Sequence, residues 1–462
     1  MAEDINIDNL LEEMDGGGRG SGFMYQNEFL SINKSNDKTT TNNNDINEYK
    51  DNEKLNVCFL NLKGWLCVIN LMACAVGSGV FAYPSIMYNI GIGYSIIGLI
   101  VLIIPVYFSL DLLRRFAVDT KLFSYSSIIQ ATLGYFWVVM YDLSSFLFYM
   151  LGISTYLKSL FNITDSVIPG LNDNTVGKVF YYIITYIIEL ALCLFTSNLS
   201  KISYLSLIVI CLFIIILIRT IIESIYNMST ENERFDYVTA FVIKGEDNSW
   251  DKFLSFTSKI NDIFFGFLSH CQYPLILNTY EDGSNEEKTK KINKIQLFFV
   301  SILYFLFTFF GLFCLDEENP AELFLNKRSL DNFGEYLFNI LLMIYLLALT
   351  AIRYTVIKDN YLSILKKDFL SAKYEIIILA ICVLINNLVI TILEDSKIRT
   401  IFVTIFTGLF GVFFCFILPV INYIKINGKT KTRSIIGYII SIFFLLIGIF
   451  SIIYSLKKAT KD

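Results

Sequence analysis

The sequence predicts an all-α polytopic membrane protein with about 11 transmembrane helices. Three observations predict it. The chain is 55% hydrophobic and only 17% charged, where a soluble domain carries about 25% charged residues. From Gly64 onward, apolar runs of roughly 20 residues, the length a helix needs to cross a bilayer, recur to the C-terminus with short charged loops between them. Two of those runs, the first and the sixth, are interrupted by glycine and serine with a proline following. The alternating pattern of a membrane barrel is absent.

Residues 1–56 read as a cytosolic N-terminal tail and residues 57–462 as the membrane domain. The start, MAEDINIDNLLEEMD, has no positive n-region and no leading apolar core, so no cleaved signal peptide is expected. GGGRGSG (Gly16 to Gly22) lacks the lysine and flanking strand of a phosphate loop and reads as a flexible linker. Ser35 to Lys54 is low-complexity and is expected to be disordered. The net charge of -5 reflects acids in the tail and loops, and nothing resembles a basic nucleic-acid surface. The nine cysteines show no CxxC or metal-type spacing and read as small buried apolar residues. No metal or cofactor is expected. With one histidine and no Ser-His-Asp constellation, the sequence argues against an enzyme.

The expected spans lie near 64–87, 92–113, 134–158, 179–197, 202–222, 258–279, 294–315, 333–355, 374–393, 400–424 and 434–456. Lysine and arginine in short loops set orientation. With the tail in the cytosol, cytosolic loops hold Arg114, Arg115, Lys121 and Lys201, then Lys288 to Lys294, Arg353 to Lys373 and Lys425 to Arg433. The opposite loops are acidic (Asp316 to Glu318, Glu394 and Asp395). Lys457, Lys458 and Lys461 fall on the opposite side, against the rule. The plasma membrane and a vacuolar or lysosome-like membrane are both compatible with this reading.

The first interrupted run, Val68 to Gly91, places Gly77-Ser78-Gly79 in mid-membrane with Pro84 after it. The sixth, Asn261 to Asp282, places Gly266, Ser269 and His270 before Pro274. Glycine loosens a helix and proline removes a hydrogen bond. Freed backbone groups survive in hydrocarbon only where protein, water or ligand satisfies them. Breaks five spans apart give two halves broken at the same relative position, the pattern of an inverted-repeat transporter with a midplane site. A packing motif through small residues is the competing reading. N–H groups at Val76, Gly77, Ser78 and Gly79 would cap the second half-helix and suit a carboxylate. Carbonyls near Ala73 to Ala75 and Phe265 to Phe267 would suit an ammonium. A zwitterion satisfies both, so an amino acid is the natural cargo.

At these residues the sequence resembles the amino acid/auxin permease family of the APC superfamily. Its N-L-x-x-x-x-x-G-S-G and following proline match Asn70-Leu71, Gly77-Ser78-Gly79 and Pro84. The family's F-x-F-x-C-H and P-I-Y-x-E-L elements fit Phe265, Phe267, Ser269, His270, Pro274 and Ile276 loosely. Phe406 to Lys425 looks like its glycine-rich tenth span ending in Leu-Pro-x-x-x-Tyr. The resemblance implies a LeuT-type fold of 5+5 inverted repeats with broken helices 1 and 6, and secondary active amino acid transport. Sodium-coupled members carry a second asparagine where this chain has Ala73. They also carry a threonine that falls near Ile344 if Ala351-Ile352-Arg353 matches their P-I-R element. Both polar ligands are missing in that register, which favours proton-coupled or uncoupled transport. Thr350 is the alternative if the register differs.

The substrate-binding candidates are therefore Val76, Gly77, Ser78, Gly79, Phe265, Gly266, Phe267 and Ser269. The coupling or gating candidates are His270, Asp142 and Asn70. His270 reads as a proton or gating site one or two turns beyond the break, or as a neutral imidazole donating to a carbonyl. Asp142 in span 3 reads as the coupling acid. Glu189 in span 4 reads as a protonated or paired packing residue. Phe265 and Phe267 read either as covers over the substrate or as ordinary packing aromatics. Asn386 and Asn387 read as interhelical partners. The partners implied are an amino acid, protons and the lipid bilayer. The alternatives are a nutrient sensor signalling through the tail, or a transporter of another small amine or zwitterion.

Overall fold

The computed structural model describes residues 60–461, apart from 169, 172, 197–198, 231–238, 246–247, 268, 281–282, 284, 316–332, 368–369, 393–400, 403 and 428–431. The tail expected at 1–56, and the acidic loops at Asp316 and Glu394, lie outside the described residues. Among the described residues, eight helices are long and apolar enough to cross a membrane, or nine if the bent pair of the first span counts as one.

The chain enters through α1 (Leu62–Ala75), started by Asn61, whose side chain accepts the Gly64 N–H at 2.8 Å. A 3-10 turn (Ser78–Ala82) and α2 (Tyr83–Ile90) complete the first span, bent by 51° between its two parts. Pro84 stands in the first turn of α2, where a missing N–H costs nothing. Then follow α3 (Ile92–Thr120), a short α4 (Tyr125–Leu133), α5 (Tyr135–Val167), α6 (Thr175–Thr196) and α7 (Leu199–Thr230). The second half opens with α8 (Ser249–Gly266), a turn, and the six-residue α9 (Tyr273–Asn278), whose first turn holds Pro274. After it come α10 (Glu286–Leu312), α11 (Phe333–Ile364) and α12 (Ala372–Ile392). The next span runs in π-helical geometry over Phe406–Gly411 and Phe413–Ile417, then as α13 (Leu418–Asn427). The last helix is α14 (Thr432–Lys461). The count of eight or nine leaves out α8, α9 and α12, which stand at the sixth and ninth expected positions.

The packing relates the two halves. Helix α3 lies against α10, α5 against α11, and α6 against α12, so spans two, three and four each meet the span five places later. The first and sixth spans pair crosswise: α9 lies on α1, while α8 lies on the 3-10 turn and α2. Halves inserted in opposite directions meet in this way. Outward-facing apolar side chains such as Ile100, Phe180, Ile218 and Ile439 are exposed, as lipid-facing positions must be.

Three features fix the periphery. Gly408 and Gly448 bring the π-helical span and α14 into backbone contact; a Cβ on Gly408 would lie 3.0 Å from the Gly448 carbonyl oxygen. The loop before α8 is stitched to the corner between α2 and α3. Ile92 and Gly93 N–H donate to the carbonyls of Thr239 (2.9 Å) and Ala240 (2.7 Å), and Lys244 N–H to that of Asn89 (2.8 Å). Gly91 turns this corner at φ +85, a conformation that suits glycine. Finally, Lys457 forms an ion pair with Asp251. The C-terminal lysines that ran against the charge rule therefore include one neutralised by an acid at the start of α8.

Candidate functional site

Both expected breaks are present. In the first, Val76 (φ -72, ψ 82) and Gly77 (φ -96, ψ -177) leave the helical region between α1 and the 3-10 turn. In the second, the chain turns between Gly266 and Tyr273. The N–H groups of Val76 and Gly77 turn back to the carbonyls of Met72 (2.7 Å) and Ala75 (2.8 Å). They are thus not aimed at the second half-helix as expected. Ser78 and Gly79 hold the positions at the start of the 3-10 turn whose N–H groups the helical pattern does not use.

The carbonyls freed at the breaks accept from side chains of other spans. Tyr345 Oη on α11 donates to the Val76 carbonyl at 3.0 Å. Arg353 Nη2, also on α11, donates to the Cys74 carbonyl at 3.1 Å. Tyr304 Oη on α10 lies 2.6 Å from the Ala75 carbonyl and 2.6 Å from the Gly266 carbonyl. Tyr83 Oη crosses to the Ile263 carbonyl at 2.6 Å. The carbonyls expected to be open to an ammonium are therefore occupied by the protein's own donors. A buried carbonyl without a donor costs about 1–3 kcal/mol, so the unwound stretches persist because these side chains reach them.

Glycine is required at each break for close approach. A Cβ on Gly77 would lie 2.6 Å from Tyr156 Oη and 3.2 Å from Arg353 Nη2. A Cβ on Gly266 would lie 1.7 Å from Tyr83 Oη. The hydroxyl thus fills the space a side chain would take.

The other site candidates fall as follows. Val76, Phe267 and Ser269 are buried, Gly77 and Gly266 are buried, and Gly79 is half-buried. The side chains of Ser78 and Phe265 lie outside the described residues. Phe267 meets Tyr304 edge-on at 5.0 Å. His270 sits inside the turn itself, nearer the break than the one or two turns expected, because helix α9 begins only at Tyr273. It is 1% exposed. Among the described residues neither ring nitrogen has a hydrogen-bond partner, and neither does Ser269 Oγ. Gln272 ties this turn to α11 through the Ile352 carbonyl at 3.3 Å.

Asp142 and Asn70 are not brought to the breaks. Asp142 lies fourteen residues before Tyr156 on α5, roughly 21 Å along the axis. It is fully buried. Its Oδ1 accepts from Ser126 Oγ at 2.6 Å. Asn70 stands seven residues before Gly77, where its Nδ2 donates to Ser203 Oγ on α7 at 2.9 Å. Glu189 accepts from Asn387 Nδ2 at 3.2 Å, and Asn386 Nδ2 donates to Tyr354 Oη at 2.5 Å. These contacts join α6 to α12 and α12 to α11.

Two readings need correction. Arg353 is no cytosolic loop residue. Helix α11 continues to Ile364, and Arg353 is 7% exposed, with its guanidinium 5.4 Å over the Tyr149 ring. Ile344 is 45% exposed on the outer face of α11, while its neighbour Tyr345 is 0% exposed and faces the break. Position 344 therefore does not face the break. Tyr156, Tyr304, Tyr345 and Arg353 were missed as site residues. A basic residue near the end of an apolar run was the one available signal, for Arg353.

Comparison with known proteins agrees with this architecture. A family profile described as transmembrane amino acid transporter protein matches residues 62–460. The sodium-coupled neutral amino acid symporter 2 of Danio rerio is 27% identical over 420 residues, covering 80% of this chain and 77% of that protein. The crystal structure of a manganese transporter from Eremococcus coleocola, in complex with an aromatic bis-isothiourea substituted compound, matches with a TM-score of 0.51 at 14% identity. That match covers 85% of this chain and 86% of the other; at that identity it speaks to the fold alone.

Proposed function

The chain belongs to the transmembrane amino acid transporter family, and from that premise we propose that it is a secondary active transporter moving amino acids by alternating access. The observation that carries this reading is the facing pair of breaks, at Val76-Gly77 and between Gly266 and Tyr273, buried at the centre of a multi-pass helical bundle. Substrate binds between them. Its carboxylate lies toward the N–H groups of Ser78 and Gly79, with Val76 and Gly77 as the close backbone wall. Its ammonium lies toward the carbonyls of Ala75 and Gly266, with Phe267 and Ser269 lining the turn. Phe265 is assigned there from the sequence pattern.

Coupling is to protons, or absent, rather than to sodium. Arg353 supports this. Its guanidinium already donates to the Cys74 carbonyl at the negative end of α1, where a dissolved cation would otherwise be drawn. Among the described residues no carboxylate forms an ion pair with it. His270 and Asp142 are the titratable groups assigned to coupling, with Asn70 steadying the lower half of the first span. A membrane potential supplies about 2.3 kcal/mol per charge per 100 mV to such a cycle. The N-terminus is cytosolic, in a plasma or vacuolar membrane.

Sodium coupling is the second reading, favoured by the likeness to the sodium-coupled neutral amino acid symporter of Danio rerio. Proteoliposome uptake of labelled amino acids under imposed proton or sodium gradients separates the two. Uptake is expected to survive replacement of sodium by choline. Loss of uptake in choline would establish the sodium reading, and no uptake of any amino acid under any gradient would overturn the transporter reading. Normal uptake after deletion of residues 1–50 speaks against a sensor acting through the tail.

A further inference from the structure

We infer that the Tyr304 hydroxyl is an internal stand-in for the substrate's ammonium, and that substrate binds by displacing it from between the two breaks. The inference rests on the transporter reading and deepens it.

Tyr304 differs from the other donors at the breaks. Tyr345 serves the Val76 carbonyl and Arg353 the Cys74 carbonyl. Tyr304 Oη stands 2.6 Å from two carbonyl oxygens at once, Ala75 of the first break and Gly266 of the second. A phenol has one proton. It serves one carbonyl at a time; the Ala75 carbonyl also accepts the Gly77 N–H, but whichever carbonyl lacks the phenol proton still meets an oxygen lone pair at 2.6 Å in a site with no exposure to solvent. An ammonium has three N–H donors and satisfies both carbonyls together. The two oxygens converge on a point better matched to that group than to the hydroxyl now there.

The tyrosine is held by its ring. It meets Tyr83 edge-on at 5.3 Å and Phe267 edge-on at 5.0 Å. The ring is therefore held between a residue of each broken span, Tyr83 of the first and Phe267 of the second. Departure of the hydroxyl frees both spans together. In the substrate-free protein the hydroxyl keeps the breaks closed on each other. With substrate bound, the ammonium takes over the bridge.

The test is Tyr304→Phe, which keeps both ring contacts and removes the competing hydroxyl. Equilibrium binding to purified protein is measured for the labelled amino acid that the wild type takes up best, and competition for the carboxylic acid of the same skeleton without its amino group. For leucine this pair is leucine and 4-methylpentanoate. The variant is expected to bind the amino acid roughly five- to ten-fold more tightly, with binding of the des-amino acid unchanged. Unchanged or weaker amino acid binding, an equal gain for the des-amino acid, or a gain that requires sodium overturns the inference. If Tyr304→Phe does not fold, 3-fluorotyrosine at position 304 keeps the shape and strengthens the donor. Amino acid binding should then weaken, and an unchanged affinity overturns the inference. If the wild type takes up no amino acid, the transporter reading itself fails, which is a separate outcome.

Discussion

Gly266→Ala tests the junction of the two breaks directly. The added methyl carbon would lie 1.7 Å from Tyr83 Oη and 2.8 Å from Tyr83 Cζ, so Tyr83 must move. Moving it breaks the 2.6 Å hydrogen bond to the Ile263 carbonyl in a fully buried place. Leaving that carbonyl unserved costs about 1–3 kcal/mol. Overpacking a close-fitted core costs about another 1–3 kcal/mol. The sum, about 2–6 kcal/mol, is a large share of a domain's stability. Thermal inactivation of the purified protein in detergent is expected at a clearly lower temperature, with uptake in proteoliposomes strongly reduced. Tyr83→Phe in the same chain removes the nearer clash while Cζ stays close, so the double variant should recover part of the loss. Wild-type stability and uptake in Gly266→Ala, or no recovery in the double variant, would show that the breaks are not held as described.

Gly77→Val should abolish uptake while the protein still reaches the membrane, since its Cβ meets Tyr156 and Arg353; normal uptake, read with surface or vesicle labelling of the protein, removes the carboxylate site from this account. His270→Ala should change the pH dependence of uptake, as expected of a coupling or gating group. Coincident profiles for the variant and wild type leave His270 as a packing residue beside Phe416.

Much of the scaffold was legible because bilayer thickness imposes a length on every apolar run. The second and third spans were expected to start at 92 and 134, and α3 and α5 start at Ile92 and Tyr135. The far ends were less legible. Helix α5 runs on to Val167 through Lys158 and Asn162, because a helix does not stop where its lipid-facing residues do. The breaks were legible because glycine and serine in an apolar run have few other uses. What fills the breaks was not. Tyr156, Tyr304 and Tyr345 are three among 28 tyrosines, and only the three-dimensional approach of distant spans distinguishes them. Arg353 was misread because a charge near the end of an apolar run looks like a loop. The short helix α4 passed unnoticed because nine residues are too few to cross a bilayer or to show a helical period clearly.

The three backbone bonds between residues 239–244 and the corner at Asn89 to Gly93 act as a leash. Any tilt of the second half of the first span is handed to a surface loop far along the chain. A fluorophore attached at Phe241, whose ring rests over Gly93, offers an outside reporter of inside motion, and cutting the leash should uncouple the signal from the cycle.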